Sequence, residues 1–409
     1  MPMTDKIYPI GQLPKIGEIP ELMYAATLRK NKYGEPKKAF TIEKVPVPVI
    51  GKNEVLIAVM AAGVNYDGVW AALGKPVDII KQNQRKGYKE EYQICGSDAS
   101  GIVWKIGEKV TNVKIGDEVV ISCGVWNINA KDFSKSKTPM ESNSSGIWGY
   151  DTNYGSFAQF SLVKDFQCYS KPKHLSWEES SAYMLTGATA YRQLMGFSPN
   201  IVSKNTPVLI WGGAGGLGSM AIQITAALKG KPIAVVSSKE KEEYCKKIGA
   251  IGTINRKKYS HWGRLPNINN EIEMNKWTIS AKKILSEFQT ILKDNLRPMI
   301  VFEHSGEDTI PTSVFMCGTG GMIVICGGTS GYNADVDLRY LWVKQKRLQG
   351  SHFANPSDCE GINHLVKEKK IKPMISKIYK FNEIGVAHQK LKDNKNHPGQ
   401  MTIQVGSKK

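Results

Sequence analysis

Between residues 38 and 120 the apolar positions come in short runs, at 55–60, 102–106 and 118–121, with turn residues between them. Such runs predict a small, mostly antiparallel β domain. Beyond residue 175 the period changes. Apolar positions recur at helical spacing over 177–193. Strands and helices then alternate: strand 208–211, a glycine-rich turn, helix 217–228, strand 233–237, helix 241–248, strand 253–254, and strands at 299–302 and 321–326. This alternation predicts a parallel, doubly wound sheet. Residues 259–298 interrupt it as an insertion, polar at first and helical from residue 275. After residue 350 the chain is expected to return to the β domain and to end in a strand over 400–405. The predicted class is α/β, with a β-rich domain from 1–185 and 350–409 and a dinucleotide-type domain from 186–349.

At 409 residues the chain is too long for a single core, and 41% hydrophobic residues suit a globular protein rather than a disordered one. The net charge of +18 admits a polyanionic partner. No dense basic run is interleaved with aromatics, so nucleic acid is not expected, and a phosphate-bearing cofactor or coenzyme A fits better. The seven cysteines are scattered without a C-x-x-C pair, which fits a reducing cytoplasm and predicts neither a disulfide framework nor a clustered metal site. Residues 1–23 mix Pro and charges and lack an apolar signal-peptide core. Residues 127–146 are polar and read as a surface lobe. The uncharged stretch 207–228 contains five glycines and predicts strand, turn and buried helix, not a membrane span.

That stretch carries the first chemical signal. Gly213, Gly215 and Gly218 satisfy G-x-G-x-x-G between an apolar strand and a small-residue helix. The glycines permit the tight turn, the approach of backbone to a pyrophosphate and close helix–strand packing, and the amides of Gly216, Leu217 and Gly218 open the helix that would hold the phosphates. An NAD site places a carboxylate about 20 residues on, for the ribose 2′-hydroxyl. Here the second strand ends in Ser237, Ser238 and Lys239. Hydroxyls and ammonium groups suit a 2′-phosphate, so NADPH is expected, with Lys241 and Arg256 as further phosphate partners.

A β domain, a dinucleotide domain and a return to the first resemble the medium-chain dehydrogenase/reductase superfamily, which implies a GroES-like catalytic domain and a Rossmann domain. Its zinc alcohol dehydrogenases carry Cys in G-V-C and His in G-H-E-x-x-G. The matching positions here are Asn65 and Ser97, neither of which replaces thiolate or imidazole on zinc, and residues 124–167 hold no Cys for a structural zinc lobe. No metal is therefore expected. Reduction of an activated C=C bond, in which the substrate's own carbonyl takes up charge, becomes the natural chemistry.

Several stretches narrow the resemblance: GVNYDGVW at 63–70, IWGYDTN at 147–153, KPKHLSWEE at 171–179, VFEH at 301–304, RYLW at 339–342 and GSHFAN at 350–355. Together they resemble the crotonyl-CoA carboxylase/reductases and the related acryloyl-CoA reductases. The resemblance implies hydride transfer from NADPH to the β carbon of a short 2-enoyl-CoA, giving an enolate that is quenched by a proton or by carbon dioxide. Four positions that hold carbon dioxide in the carboxylases, an Asn, a Phe-Glu pair and a His, map to Asn65, Tyr150, Asp151 and His352. Tyr150 adds a hydroxyl near the enolate, and Asp151 is a methylene shorter than Glu, which would loosen the hydrogen-bond chain. Both departures favour protonation, so the expectation is a plain enoyl-CoA reductase, with reductive carboxylation as the alternative. A non-catalytic NADPH- or RNA-binding quinone-reductase relative has only the charge in its favour. The G-x-Y tyrosine of mitochondrial enoyl reductases is replaced by Gly74-Lys75-Pro76, leaving Tyr150, Tyr66 or a water held by His352 as proton donors.

Coenzyme A carries phosphates, and Arg339, Lys344, Lys346 and Arg347 are the candidate cations for them. The resemblance also implies a homodimer, or a tetramer of two dimers, paired through a sheet edge near 324–331.

Overall fold

The apolar run that opens near residue 55 becomes the strand Glu54–Gly63, buried along almost its whole length in a computed structural model that describes residues 7–133 and 138–406. Residues 1–6 of the N-terminal stretch and 134–137 of the expected lobe lie outside the described residues. Burial on both faces explains why this strand reads EVLIAVMAAG and not as an alternating pattern. It pairs antiparallel with Ala99–Ile106, Phe160–Lys164 and Gln400–Gln404. The last of these brings the C-terminal end of the chain back beside residue 63. Beyond Ala99–Ile106 the same sheet continues through Glu118–Ile121 to Cys168–Ser170, and beyond Gln400–Gln404 to Ile375–Lys380. Met23, Leu56, Ala58, Ile94, Trp104 and Phe160 form a core under it.

The chain divides into two compact units, 1–185 with 355–409, and 186–354. The second is a six-stranded, all-parallel sheet in the spatial order Gly252–Asn255, Lys231–Val236, Pro207–Trp211, Ile300–Glu303, Met322–Ile325, Arg347–Gly350. The expected α/β class, with its doubly wound sheet, is the observed one. Stretch 207–228 is strand Pro207–Trp211 followed by helix Gly216–Ala227, and among the described residues no helix is long and apolar enough to cross a membrane.

Three expectations need correction or extension. The segment 259–298 carries helix Glu271–Leu292, whose Trp277, Ala281, Ile284 and Phe288 enter the core with Leu209, Ile233 and Ile254. The helical part of the expected insertion thus also forms the crossover between strands Gly252–Asn255 and Ile300–Glu303, and each large apolar side chain it buries contributes about 1.5–3 kcal/mol. The helical run at 177–193 is two helices, Trp177–Ser180 and Met184–Met195. Ser181 donates its hydroxyl to the Glu178 carbonyl at 3.0 Å, a local bond that competes with helix propagation. Strand Met322–Ile325 is not the edge of the sheet, because Arg347–Gly350 pairs parallel alongside it.

Candidate active site

Asn65 caps the start of helix Tyr66–Leu73 in an extended conformation and is buried. Its Oδ1 accepts the Gln400 amide at 3.0 Å, and Gln400 also donates to the Val64 carbonyl at 2.9 Å, so the returning C-terminal strand fixes the ring of contacts around residue 65. The Nδ2 group lies beside the Asp98 carboxyl and makes it more acidic, yet without a hydrogen bond of normal geometry. A buried amide donor is thus left for a ligand. Asp98 is fully enclosed, and burial holds its pKa well above the usual carboxylate range despite the Leu185 N–H at 3.3 Å. Ser97 donates a short hydrogen bond to Asp67 Oδ2, while Asp67 Oδ1 accepts the Gly68 N–H at 2.8 Å. Burial raises the Asp67 pKa, and the charge of Asp151 adds to the rise. Asn and a hydroxyl already bound to a carboxylate do not fit a zinc ion, and among the described residues no three His, Cys, Asp or Glu side chains are grouped to hold a metal.

The segment 147–157 packs on residues 94–97. The N–H groups of Gly155, Ser156 and Phe157 donate to Ile94, Gly96 and Cys95 at 2.9 Å each. Gly96 has φ +101°, and a Cβ there would meet Ser156 Oγ at 2.3 Å, so the segment after Tyr150 packs on residue 96 only because it is glycine. Within the segment, Tyr150 is half-buried and its N–H donates to the Ile147 carbonyl at 3.1 Å. Asp151 accepts the Ile147 N–H at 2.9 Å on Oδ2 and the Gln82 amide at 3.2 Å on Oδ1. Gln93 ties the Thr152 carbonyl at 2.7 Å and is itself held by Asn83 at 2.8 Å. Both oxygens of the Asp151 carboxylate are engaged, which ties this turn.

In the parallel unit, Gly215 caps helix Gly216–Ala227 and has no side chain to cap the first-turn amides of Gly216, Leu217 and Gly218. A Cβ on Gly213 would lie 2.6 Å from Ala234 Cβ, and one on Gly218 2.4 Å from the Gly212 carbonyl oxygen, so both glycines are required by packing. One on Gly215 would meet only Gly212 O at 3.5 Å; the space beside it is open, as a diphosphate needs. At the end of the next strand Ser237 is half-buried, and Ser238 Oγ accepts the Lys241 N–H at 3.4 Å. The Lys241 ammonium is held below its ordinary pKa by burial and then by the charge of Arg256. Two cations crowded together beside two hydroxyls fit a 2′-phosphate.

His352 belongs to the parallel unit and is exposed just after strand Arg347–Gly350. Among the candidate coenzyme A cations, Lys344 is exposed, and Arg339 forms a bidentate pair with Asp337 at 2.8 and 3.0 Å. Arg347 donates to Ser198 O at 2.9 Å and Asn200 Oδ1 at 3.2 Å. Lys346 is withdrawn from the expected role: its ammonium donates to Val314 O at 2.7 Å over the Tyr340 ring, and burial lowers its pKa to about 8. Gln82, Gln93, Asp67, Asp98 and Gln400 were not singled out from the sequence, because amides and carboxyls without a spacing rule look like surface residues until their partners are known.

Fold and site together define a medium-chain dehydrogenase/reductase whose first-domain ligand positions do not suit zinc. Residues 51–173 match the alcohol dehydrogenase GroES-like domain, and residues 216–368 the zinc-binding dehydrogenase domain. The chain is 45% identical over 399 residues to the crotonyl-CoA carboxylase/reductase of Cereibacter sphaeroides, covering 98% of this chain and 91% of the relative. It is 38% identical to the crotonyl-CoA reductase of Streptomyces collinus over 89% of this chain and 81% of that one. The solved structure of the crotonyl-CoA carboxylase/reductase AntE in complex with NADP matches with a TM-score of 0.95 and 48% identity, over 98% of this chain and 99% of that one. A 2-octenoyl-CoA carboxylase reductase, CinF, in complex with NADP and 2-octenoyl-CoA, matches with a TM-score of 0.86 and 31% identity, over 96% and 89%. This chain belongs to the crotonyl-CoA carboxylase/reductase family.

Proposed function

We propose that the chain reductively carboxylates a short 2-enoyl-CoA, consuming NADPH and carbon dioxide. The near full-length likeness to the Cereibacter carboxylase/reductase carries this reading and favours it over the protonation expected from Tyr150 and Asp151. The physical ground for that expectation is also weakened, since both Asp151 oxygens are engaged and the turn is tied. Ser237, Ser238, Lys241, Arg256 and the glycine cradle would hold NADPH, which when bound would supply a hydride to the β carbon. The electron pair of the C=C bond moves onto the α carbon and the thioester oxygen, and the α carbon then bonds to carbon dioxide. The product is a 2-carboxyacyl-CoA and NADP⁺. Asn65, with an uncommitted buried amide donor, is the group in the first unit suited to an oxygen of carbon dioxide, and Asp151 fixes the turn that presents Tyr150. Arg339, Lys344 and Arg347 are the candidates for the coenzyme A phosphates, and a homodimer is inferred on the sheet edge Arg347–Gly350.

The test is NADPH oxidation with crotonyl-CoA at saturating labelled bicarbonate and carbonic anhydrase, with products resolved by mass. Ethylmalonyl-CoA as the main product is expected. Butyryl-CoA as the main product would return the reading to plain reduction.

A further inference from the structure

Glu303 and His304 close the strand Ile300–Glu303 and lie in the part of the parallel sheet where the strand order reverses. Strand Pro207–Trp211 leads on one side to Lys231–Val236 and on the other to Ile300–Glu303. Ligands of open α/β sheets bind outside the carboxyl ends of the strands at such a reversal. His304 spans it. Its Nε2 lies 3.1 Å from the Trp211 carbonyl oxygen, which can only accept, so Nε2 carries the hydrogen. The Nε2–Cε1 edge of the imidazole lies against Gly212, where a Cβ would stand 2.6 Å from Nε2; with φ +58° as well, that position favours glycine.

Gly212 is the pivot of the phosphate turn. Its carbonyl accepts the Gly215 N–H at 3.0 Å, and the Gly215 carbonyl accepts the Ser219 N–H at 2.8 Å, so a displacement at residue 212 is passed to the start of helix Gly216–Ala227. Trp211 is held from its other end too: its indole N–H donates to Ser313 Oγ at 2.8 Å, and Ser313 donates to Glu303 Oε2 at 2.8 Å. The Glu303 carboxylate is fully buried and has no cation partner among the described residues. It is instead wrapped by its own turn, with Oε1 accepting the N–H groups of His304 at 3.0 Å, Ser305 at 2.8 Å and Gly306 at 3.4 Å and the Thr309 hydroxyl at 2.9 Å. Gln193 ties the Glu303 carbonyl at 3.2 Å to that of Val324 at 3.0 Å. A buried carboxylate with five donors is a rigid base, and the residue it aims is His304.

We infer that His304, oriented by Glu303, is a positioning residue for the dinucleotide: it holds Trp211 and Gly212 so that the first-turn amides meet the diphosphate. The inference rests on the proposed use of NADPH. Its signature is selective, since a loop set wrongly weakens the dinucleotide and leaves the acyl-CoA unaffected.

The experiment measures NADPH binding to the full chain by quenching of tryptophan fluorescence, together with KM values for NADPH and crotonyl-CoA, in wild type, His304→Phe and His304→Gln. Gln places an amide donor where Nε2 stands, whereas Phe fills the space and cannot donate. His304→Phe is expected to raise the Kd for NADPH about tenfold, the worth of one hydrogen bond. The KM for crotonyl-CoA should stay within twofold, and His304→Gln should restore most of the affinity. If His304→Phe does not fold, Ser313→Ala replaces it, severing the second hold on Trp211; a Kd raised severalfold with unchanged melting temperature supports the brace. Wild type that fails to bind NADPH refutes the functional reading itself. Wild type that binds, with His304→Phe binding equally well, or with both KM values rising together, refutes the role of His304; Ser313→Ala binding equally well refutes the transmission through Trp211.

Discussion

Asp151 Oδ2 accepts the backbone N–H of Ile147 at 2.9 Å, and the Asp151 N–H returns a bond to the Ile147 carbonyl at 2.7 Å. The reciprocal pair makes a closed loop of residues 147–151, in which Tyr150 projects from a fixed backbone. The loop is pinned from outside by Gln82 and by Lys86, whose ammonium reaches the Asp151 carbonyl at 2.8 Å. Both Asp151 oxygens are thus engaged, Oδ2 within the loop and Oδ1 outside it.

Asp151→Ala is therefore expected to free the turn and to lower the ratio of carboxylated to protonated product about tenfold, while NADPH is still oxidised. Such a change needs only about 1.4 kcal/mol between two competing transition states, less than a hydrogen bond to a charged group is worth. Product ratios by mass spectrometry at saturating bicarbonate provide the check. An unchanged ratio would mean that the turn does not govern the fate of the enolate.

The pairing of Lys241 with Arg256 gives a second expectation. Neither has a 2′-phosphate partner to gain from NADH, so replacing both with Ala should reduce kcat/KM for NADPH by about 100-fold, roughly 2.7 kcal/mol. The value for NADH should change less than threefold. Equal losses with both cofactors would show that the two cations serve the fold and not the phosphate.

Those two sites differ in how far they could be read from the chain. The glycine cradle was legible because G-x-G-x-x-G, its strand and its helix are contiguous, and the strands at 208–211 and 233–237 appear within two residues of where their apolar runs fall. Asn65, Tyr150 and Asp151 were legible through local motifs. Their supports were not. Gln400 reaches Asn65 across 335 residues of chain, and Asn83 and Gln93 brace residue 152 through side-chain amides that follow no periodic rule. The helix in the segment 259–298 was legible from residue 275, but its role as the crossover was not, because a polar lead-in hid the face that covers the sheet. Strand Arg347–Gly350 was missed for a related reason: as an edge it is half-exposed, and RLQG has no apolar run.

Stability should fall as the solution is acidified, and His388 is a main cause. The ring is fully buried between Phe40 and Phe157, its Nδ1 lies 2.8 Å from the Ile384 carbonyl, and burial lowers its pKa to about 4. The folded pKa is depressed, so between about pH 6.5 and 4 the unfolded chain binds a proton that the folded chain refuses. The neutral ring's contribution is complete above pH 6.5 and is lost as pH falls toward 4, at a cost of about 3 kcal/mol. Buried Asp67, Asp98 and Glu303 have raised pKa values and act with the opposite sign, being least costly at low pH. The comparison is therefore made by difference. Denaturant unfolding of wild type and His388→Leu at pH 7.5 and 5 should show a smaller loss on acidification in the variant. Parallel losses in the two proteins would exclude His388 as a source.

The sheet edge yields the last expectation. Strand Arg347–Gly350 pairs on one side with Met322–Ile325 and, among the described residues, has no strand on the other, where the Gln349 amide donates to the Gly350 carbonyl at 2.7 Å. Leu348 is exposed on this edge, and Trp342 and Val343, shortly before it in the chain, are exposed as well. Proteins that remain monomeric usually blunt such an edge with charge, bulges or proline. Here an apolar side chain sits on it, which suits pairing with a second copy through a twofold axis. The wild type should then have a solution mass of about twice, or for paired dimers four times, the 45.3 kDa of one chain. Leu348→Lys places one ammonium from each protomer against the pairing surface, and burying unpartnered charge there should weaken dimerisation by about 3 kcal/mol, roughly a hundredfold in Kd. Light scattering coupled to size exclusion at micromolar concentration distinguishes the species. A monomeric wild type, or a variant whose mass and dilution behaviour match the wild type, would exclude this edge as the interface.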